Sequence, residues 1–354
     1  MSLTGIRTVM VLELRQRVRS TRWQVMLAIW GIVLTIVCGG LATLSSGFGT
    51  TLTEVTPMLY DLVVCFVLGI GLIVAPTLSA TSINSDRADA TLALLQATAL
   101  RPAEIAVGKL AAAWAAATAF LAVALPFLLA LTLLGGTTWL TLLGHLIILV
   151  MTLGSVCAVG LGFSAMTARP SSSAVLTYLV VVALTIGTPL LTAISSTVVT
   201  GSQREITYNI NYSDSTDSTL VCDTTPTVYT RQIARTELIW WMLVPNPFIA
   251  MSDASFRGSG WGQDGMPGEI SLLSGVGALV DEMRVHQPSE VVVNYCDDLD
   301  SEEADDEQFE NADHVVFWPA SMLLLLALGA GGTAAASRRL RTPTGALPRG
   351  IRLA

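Results

Sequence analysis

"LAAAWAAATAFLAVALPFLLALTLLGGTTWLTLLGHLIILVMTLGSVCAVGLGFSAMTA" occupies Leu110–Ala168 and contains no Asp, Glu, Lys or Arg over 59 residues. A helix that crosses a hydrocarbon core of about 30 Å needs about 20 apolar residues, so this run is too long for one crossing. Gly135 and Gly136, with Trp139 soon after them, are typical of a turn at a membrane interface. The stretch therefore predicts two membrane-spanning helices joined by a short turn.

The rest of the chain repeats this pattern of long apolar runs. Hydrophobic residues make up 52% of the sequence and charged residues 13%, with a mean hydropathy of +0.62, values far from those of soluble domains. Four further runs contain no charged side chain: Trp23–Thr53, Leu62–Ser85, Pro170–Gln203 and Val315–Ser337. We therefore predict six spans, at about 24–44, 58–80, 106–134, 139–166, 173–196 and 315–336.

The distribution of basic residues among the connections predicts the orientation of these spans. The N-terminal segment, the connections after the second and fourth spans and the C-terminal tail together hold fourteen of the nineteen basic residues. The connections at 45–57 and 135–138 hold no Lys or Arg. Because cytoplasmic loops are enriched in Lys and Arg, both termini are expected in the cytoplasm. Eighteen arginines against one lysine suggest a GC-rich bacterial genome, and hence a bacterial plasma membrane.

These observations predict an all-α membrane protein with six transmembrane helices. Residues 1–22 are expected to form a cytoplasmic amphipathic helix along the membrane surface, with an apolar stripe at Leu3, Ile6, Met10, Leu14 and Val18. Periodicity equally allows a cytoplasmic extension of the first span. Residues 23–196 hold spans one to five, 197–313 an extracytoplasmic domain, 314–337 the sixth span and 338–354 a basic cytoplasmic tail.

The predicted extracytoplasmic domain is acidic and contains strand-forming sequence. Residues 197–313 carry 21 acidic side chains against five arginines. "REITYNINY" (Arg204–Tyr212) and "SEVVVNYCDD" (Ser289–Asp298) favour strands, so we expect a small β-containing domain between the fifth and sixth spans. The apolar run Glu237–Asp253 is too short to cross and holds two prolines. It is either an interfacial or re-entrant element or part of the core of this domain.

Sequence motifs for soluble catalysis and metal binding are absent. The chain has no G-x-x-x-x-G-K-[ST] phosphate loop, only three scattered histidines and no Cys/His spacing that fits zinc. The acidic run Asp297–Asp313 lacks the glycine of a calcium loop and is typical of a solvated connector. We therefore expect no enzyme activity, metal or cofactor in this chain. Basic residues beside the spans favour membrane lipids over nucleic acid as partners.

Three polar residues inside or beside the predicted spans need an interpretation. His145 is either a proton-coupling group or a structural, hydrogen-bonded histidine, and the lack of an acidic partner in the span cores favours the second. Asp61, near the outer end of the second span, is expected to reach the interface. Lys109, the only lysine, is expected to extend to the inner membrane surface.

The connection between the second and third spans reads "INSDRADATLALLQATALRPAEIAVGKL" (Ile83–Leu110). Asn84 or Ser85 provides an N-cap, and Arg101, followed by proline, ends a helix before the third span. Three leucines between these points supply an apolar face. The sequence thus predicts a short cytoplasmic helix at 83–100, whose apolar face meets lipid or, given its charged flanks, a protein partner.

This connection resembles the corresponding loop of the ABC-2 type permeases, the membrane subunits of ATP-binding-cassette exporters. That loop reads roughly as acidic-Arg, small-Thr-Leu, a Leu pair, a Thr before the turn, then Glu-Ile and Gly-Lys. The matching residues are Asp86-Arg87, Ala90-Thr91-Leu92, Leu94-Leu95, Thr98, Arg101, Glu104-Ile105 and Gly108-Lys109. The architecture is similar over the whole chain and includes Asn246-Pro247-Phe248 between the fifth and sixth spans.

The resemblance implies an exporter. The chain would form a homodimer or heterodimer of permeases and bind a separate cytoplasmic ABC ATPase, which holds the ATP and Mg and carries out hydrolysis. The helix at 83–100 would be the coupling helix, and the residues expected to contact the ATPase are Asp86, Arg87, Thr91, Leu92, Leu95, Arg101 and Glu104. Span cores without charge favour a hydrophobic or amphipathic substrate.

Two other classes of function remain open from the sequence. A secondary transporter would need buried ionisable residues or repeats with broken helices, which the span cores do not show. A membrane-anchored receptor or sensor would account for the acidic domain but gives no role to the helix at 83–100. The exporter accounts for the cytoplasmic helix and the spans together.

Cys222 and Cys296, the cysteines outside the spans, are predicted to form a disulfide because extracytoplasmic thiols are usually oxidised; free thiols or a metal site are the alternatives. Peptide mapping of protein purified without reductant should recover their two peptides as one cross-linked species. Cys38→Ser, a change within a span, should leave that species unchanged. Recovery of both residues as free thiols would contradict the pairing.

Overall fold

The apolar runs fold into six helices that are long and apolar enough to cross a membrane. In the computed structural model these are Trp23–Gly40, Val55–Ala88, Pro102–Leu133, Trp139–Met166, Pro170–Val198 and Trp318–Arg339. The structure describes residues 2–47, 51–88, 100–211, 223, 225–258, 271–295 and 314–341. The prediction of six helices able to span a membrane is confirmed for the described residues.

The elements follow one another along the chain as five spans, a mixed segment and a sixth span. The first part holds α1 (Leu3–Val18), α2 (Thr21–Gly47), α3 (Leu52–Ser79), α4 (Ser82–Ala88), α5 (Pro102–Leu133), α6 (Trp139–Met166), α7 (Pro170–Val182) and α8 (Thr188–Val198). The second part holds β1 (Thr200–Tyr208), β2 (Thr227–Ala234), α9 (Pro247–Gly258), α10 (Leu272–Glu282), β3 (Glu290–Asn294) and α11 (Trp318–Arg339). The spans are α2, α3 with α4, α5, α6, α7 with α8, and α11.

The connections predicted to share one side of the membrane meet at one end of the bundle. Arg17 of α1 donates to the carbonyl of Leu78 at 2.8 Å, and Arg87 donates to the carbonyl of Thr167 at 3.3 Å. We call this the basic end. The opposite end carries β1 to β3, α9 and α10, and we call it the sheet end. The turn between α5 and α6 lies there, where Gly135 adopts a φ of +90° that favours glycine.

The most extensive contact between two spans joins α6 to α11. A methyl group added at Gly332 would lie 2.5 Å from the carbonyl oxygen of Ala158, and one added at Gly162 would lie 2.8 Å from the Cα of Gly332. Gly329 approaches Ser155 in the same way, at 3.1 Å. Lipid tails are as apolar as leucine, so such backbone contact between small residues drives helix association in a membrane. We call this contact the α6–α11 seam.

Two spans lie at the periphery of the bundle. Only 17% of the most apolar stretch of α2 and 11% of that of α7 with α8 is buried, against 61% for α3 and for α6. The exposed side chains of the fifth span include the large apolar residues Leu179, Ile186 and Leu190. These faces suit lipid or a second membrane subunit.

The sheet has three strands in the order β2-β1-β3. β1 pairs antiparallel with β2 and parallel with β3, and this register places Ile206 beside both Val228 and Val292. The two predicted strands are confirmed at Thr200–Tyr208 and Glu290–Asn294, and β2 is an addition that the sequence analysis missed. Cys222 and Cys296 lie outside the described residues, so their pairing stays a prediction.

The apolar run Glu237–Asp253 does not cross the bundle. Two turns of 3-10 helix at Thr236–Leu238 and Trp240–Leu243 lead into α9, which packs on α6, α10 and α11. Asp253 accepts hydrogen bonds from the backbone N–H groups of Phe317 and Trp318, at 2.9 and 3.0 Å, where α11 begins. Burial raises the pKa of Asp253, although these two hydrogen bonds oppose the rise.

Asp61 takes a similar structural role where α10 begins. Its carboxylate is buried and accepts a hydrogen bond from the backbone N–H of Leu273 at 2.7 Å. The expectation that this side chain reaches the interface is therefore wrong. The start of α10 covers Asp61, and the carboxylate stabilises the positive end of that helix.

Asn246 connects this region to the fifth span. The span contains a π-helical turn at Ala183–Gly187 between α7 and α8. The Asn246 side chain donates to the carbonyl of Thr185 at 2.9 Å and to the hydroxyl of Thr188 at 3.1 Å. Its own oxygen accepts from the N–H of Phe248, which orients the amide. The Asn-Pro-Phe sequence thus ties α9 to the point where the helical hydrogen-bond pattern is interrupted.

The N-terminal segment forms the expected helix, α1, but a different face docks. Gly5 and Val9 are buried against α5, followed on the same face by Glu13 and Arg17, whereas Leu3 of the predicted apolar stripe is 84% exposed. A methyl group at Gly108 of α5 would lie 2.7 Å from the Cβ of Val9. α1 therefore packs against protein along a stripe that becomes charged in its second half.

The α6–α11 seam predicts different effects for the same substitution at neighbouring glycines. Gly332→Ala should lower the free energy of unfolding by about 1–3 kcal/mol, because its methyl group overpacks against Ala158. Gly331→Ala is the control, since no atom lies within 4 Å of its added methyl group, and it should be neutral or stabilising by up to about 1 kcal/mol. Unfolding titrations in mixed micelles measure both. Equal effects would contradict the seam.

Candidate functional site

The basic end is the candidate functional site because the elements flanking the predicted coupling helix meet there. An apolar cluster beneath it joins four helices: α4 through Ile83, α5 through Ile105, α6 through Leu161 and α11 through Ala336. α1 covers the beginning of α5. The structure describes the coupling helix only up to Ala88; Thr91, Leu92 and Leu95 lie outside the described residues, and their predicted role stays a prediction.

A buried lysine holds two of these elements together. The Nζ of Lys109 lies 2.6 Å from the Asp86 carboxylate of α4 and in close contact with the Glu13 carboxylate of α1. The Lys109 side chain is 1% exposed, so the expectation that it extends to the membrane surface is wrong. Two carboxylates offset the cost of burying this charge, because both supply opposite charge and Glu13 also accepts a hydrogen bond from Lys109. We call Lys109, Asp86 and Glu13 the lysine cluster.

Arg17 lies one helical turn beyond Glu13 on the same face of α1. Its guanidinium donates to the carbonyl of Leu78 near the end of α3, which fixes the end of α1 to the second span. Burial lowers the pKa of Arg17, and the negative charge of Glu13 opposes this. Glu13 contacts Lys109 of α5, and its negative charge acts on Arg17 one turn along its own helix.

Glu104 fixes the start of α1. Its carboxylate accepts from the backbone N–H of Ser2 at 2.5 Å and from that of Arg101 at 3.0 Å. The second bond satisfies a donor at the beginning of α5, which Arg101 precedes as the sequence predicted. Glu104 is buried, so its carboxylate serves this internal contact. That Glu104 contacts an ATPase stays a prediction, and its carboxylate is already bonded within the chain.

Hydrogen bonds to the end of α6 hold α4 in place. The Ser164 hydroxyl accepts from the N–H groups of Ile83 and Asn84, at 3.0 and 3.2 Å. The Asn84 amide donates to the hydroxyl of Thr167 at 3.1 Å, and Arg87 donates to the carbonyl of the same residue. α4 is thus bonded to α6 by neutral groups and by one guanidinium.

The structure brings four of the seven predicted coupling residues to one end of the bundle. Asp86 and Glu104 bond to neighbouring helices, Arg87 bonds to α6, and Arg101 stands exposed before α5. Glu13 and Ser164 were missed. Glu13 had a usable signal, because it is the only acidic residue among the first 53 and stands between arginines. A serine in an apolar span gave no such signal.

His145 is the residue that a proton-coupled transporter would use. Its Nε2 lies 3.1 Å from both the carbonyl of Met251 and the hydroxyl of Ser255, and its Nδ1 lies 3.0 Å from the hydroxyl of Tyr60. A carbonyl only accepts, so Nε2 carries the hydrogen and Nδ1 accepts from Tyr60. His145 is fully buried and both nitrogens are bonded. The structural interpretation of His145 is therefore favoured. Because Nε2 carries the hydrogen, it cannot act as a general base for the Ser255 hydroxyl.

Searches for metal-binding groups and for relatives add no assignment. Among the described residues, no group of three or more His, Cys, Asp or Glu side chains is placed to hold a metal ion. No protein-family model matches the chain, and no curated protein matches it.

The hydrogen bond between Tyr60 and His145 predicts that removal of the Tyr60 hydroxyl destabilises the protein. Tyr60→Phe should lower the free energy of unfolding by about 1–3 kcal/mol, because the buried Nδ1 of His145 loses its donor. Tyr178→Phe is the matched control: this hydroxyl is exposed and donates to the carbonyl of Ile73, so its loss should cost about 0.5 kcal/mol or less. The same unfolding titration compares both variants. A Tyr60 variant as stable as the control would show that the hydrogen bond is not structural.

Proposed function

We propose that this chain is the membrane subunit of an ABC exporter of the ABC-2 type. It moves a hydrophobic or amphipathic substrate across a bacterial plasma membrane, with both termini in the cytoplasm, using ATP hydrolysed by a separate ATPase. The observation that carries the proposal is the basic end, where α1, α4 and the start of α5 are bonded into one unit. The predicted coupling helix, residues 83–100, begins in this unit with α4, and the start of α5 follows it in the sequence.

The bonded contacts offer a route from the basic end to the sheet end. α4 is bonded to Ser164 of α6, and α6 is in backbone contact with α11 along the seam. At the other end, Asp253 of α9 bonds the start of α11, and His145 of α6 bonds the carbonyl of Met251 in α9. A displacement of α4 therefore acts on helices that reach the opposite end.

ATP acts on such a permease through linkage. It shifts the permease between conformations only by as much as the ATPase binds one of them better in its ATP state. The coupling helix, docked in a groove of the ATPase, would supply that difference. The exposed apolar faces of α2 and of α7 with α8 would be covered by lipid and by a second permease, as a homodimer or heterodimer.

The purified chain alone is expected to hydrolyse no ATP, since it lacks a phosphate loop. Affinity purification from its host in mild detergent should recover an ABC ATPase with it. Leu92→Asp should abolish this recovery by placing a charge in an apolar groove, whereas Arg87→Glu should weaken it in a salt-dependent way.

Leu3→Asp is the matched control for the docking test. Leu3 is 84% exposed on α1 at the same end of the bundle, so the same new charge there should leave the complex intact. Unchanged recovery of the ATPase with Leu92→Asp would contradict the coupling-helix proposal. The membrane-anchored receptor would then be the better account of the chain.

A further inference from the structure

Asp61 is a buried carboxylate with no cationic partner among the described residues. The residue is 2% exposed, and its hydrogen-bond partners are neutral: the backbone N–H of Leu273, at 2.7 Å, and the hydroxyl of Ser271. Burying an ionised carboxylate without an opposite charge is costly, and the positive end of α10 offsets only part of that cost. An ionisable residue of this kind within a span indicates a functional site.

The basic residues of the sheet end are engaged with other carboxylates. Residues 197–314 contain five arginines and two histidines, all of them described, and none of the seven pairs with Asp61. Their pairs are Arg204 with Glu290, Arg231 with Glu205, Arg235 and His286 with Glu237, and Arg257, Arg284 and His314 with Asp281. The connection 259–270, between α9 and α10, contains no Lys, Arg or His. Residues 197–314 therefore supply no cation for Asp61.

Asp61 lines a cavity of about 300 Å³ at the sheet end, which we call the Asp61 cavity. Its walls come from the start of α3, the turn between α5 and α6, the end of α9 and the residue before α10. Hydroxyl side chains line it as well, among them those of Thr138, Ser255 and Ser271. Small-molecule sites begin at roughly this volume, about 300 Å³. The cavity thus has room for a small molecule beside the carboxylate.

The chemistry of these walls suits a donor that carries positive charge. An ionised carboxylate only accepts hydrogen bonds, and each hydroxyl oxygen also has lone pairs to offer. A primary ammonium group has three N–H donors and no acceptor, so it matches one carboxylate surrounded by hydroxyls. A divalent metal ion prefers several carboxylates, and no group of three or more His, Cys, Asp or Glu among the described residues is placed to hold one.

The charge of the surrounding segment favours the same class of ligand. Residues 197–313 carry 21 acidic side chains against five arginines. A surface with this excess of negative charge raises the local concentration of cations and speeds their arrival. Cations are therefore concentrated at the end of the bundle where Asp61 lacks one.

We propose that the Asp61 cavity is a binding site for the primary ammonium group of a small organic cation, which pairs with the Asp61 carboxylate. The hydroxyls along the wall accept from the remaining N–H groups, and the N–H of Leu273 holds the carboxylate at the cavity wall. A bound cation contacts elements from α3 to α10 at once and so stabilises the sheet end. This inference goes beyond the proposed function and requires no ATPase.

Thermal unfolding of the purified chain in mixed micelles tests the site, with methylammonium chloride as the probe. A ligand that binds only the folded state raises the unfolding midpoint, and the concentration dependence of the midpoint gives a dissociation constant. Tetramethylammonium chloride keeps the total salt concentration constant, because it carries the same charge without an N–H donor. The midpoint should rise saturably as methylammonium replaces tetramethylammonium, and sodium chloride in place of methylammonium should give no such rise.

Asp61→Asn is the informative variant, because it removes the charge and keeps an oxygen that can accept from Leu273. Its affinity for methylammonium should be about tenfold lower or weaker still, as expected for the loss of a hydrogen bond to a charged group. Asp61→Glu keeps the charge and should still bind. Glu290→Gln is the matched control: it removes a sheet-end carboxylate that is 52% exposed and should leave the affinity unchanged.

The possible results decide between a cation site and a purely structural carboxylate. Equal affinities in the wild type and in Asp61→Asn, or no saturable rise in the wild type, would overturn the proposal and leave Asp61 with its role at the start of α10. Equal losses in Asp61→Asn and Glu290→Gln would also overturn it, since the overall acidic charge would then attract the probe. A saturable rise with sodium but not with methylammonium would overturn the ammonium assignment in favour of a metal ion.

A second comparison decides the matter if Asp61→Asn does not fold. The wild-type chain alone is then measured with methylammonium against tetramethylammonium, and Asp61→Glu is measured beside it. A saturable rise in both proteins supports the site. Its absence from the wild type overturns the proposal.

Discussion

The backbone contact between α6 and α11 is the constraint on which the rest of the structure depends. In a membrane, apolar side chains gain little by leaving lipid for protein, so two spans associate only if they approach closely enough for dispersion and polar contacts. Gly162, Gly329 and Gly332 allow that approach, and α6 becomes the central helix of the bundle. Its polar groups then point to different neighbours: His145 to α3 and α9, and Ser164 to α4.

The two ends of the bundle use charge differently. At the sheet end, Asp281 of α10 lies 2.6 Å from Arg257, 3.3 Å from Arg284 and 3.4 Å from His314, so no single partner is essential to it. At the basic end one lysine serves two carboxylates. Buried ion pairs contribute little net stability but resist the loss of a partner, so their number and arrangement decide which contacts can open. At the sheet end several side chains thus surround one carboxylate, and at the basic end two carboxylates surround one cation.

Sequence periodicity and charge predicted the spans because both report on the environment of each residue. A long charge-free run marks a segment that is surrounded by lipid. Leu110–Ala168 divides at Gly135 because the turn there has a positive φ, which favours glycine. The strands at Thr200–Tyr208 and Glu290–Asn294 were also readable from local composition. α9 could not be predicted in this way. The prolines and the short length of its apolar run fit several environments, and its packing on α6 and α11 distinguishes between them.

The lysine cluster could not be predicted either, because its residues lie far apart in the sequence. Lys109 and Glu13 are 96 residues apart, and each taken alone is consistent with a side chain at a membrane surface. Only the docking of α1 through Gly5, Val9 and Gly108 brings the carboxylate to the lysine, and that docking uses small residues outside the apolar stripe. The face of α1 that meets α5 was hidden because glycine contributes no hydrophobic signal, although it allows the closest approach. The helix expected to lie along the membrane surface therefore packs against α5 at the basic end.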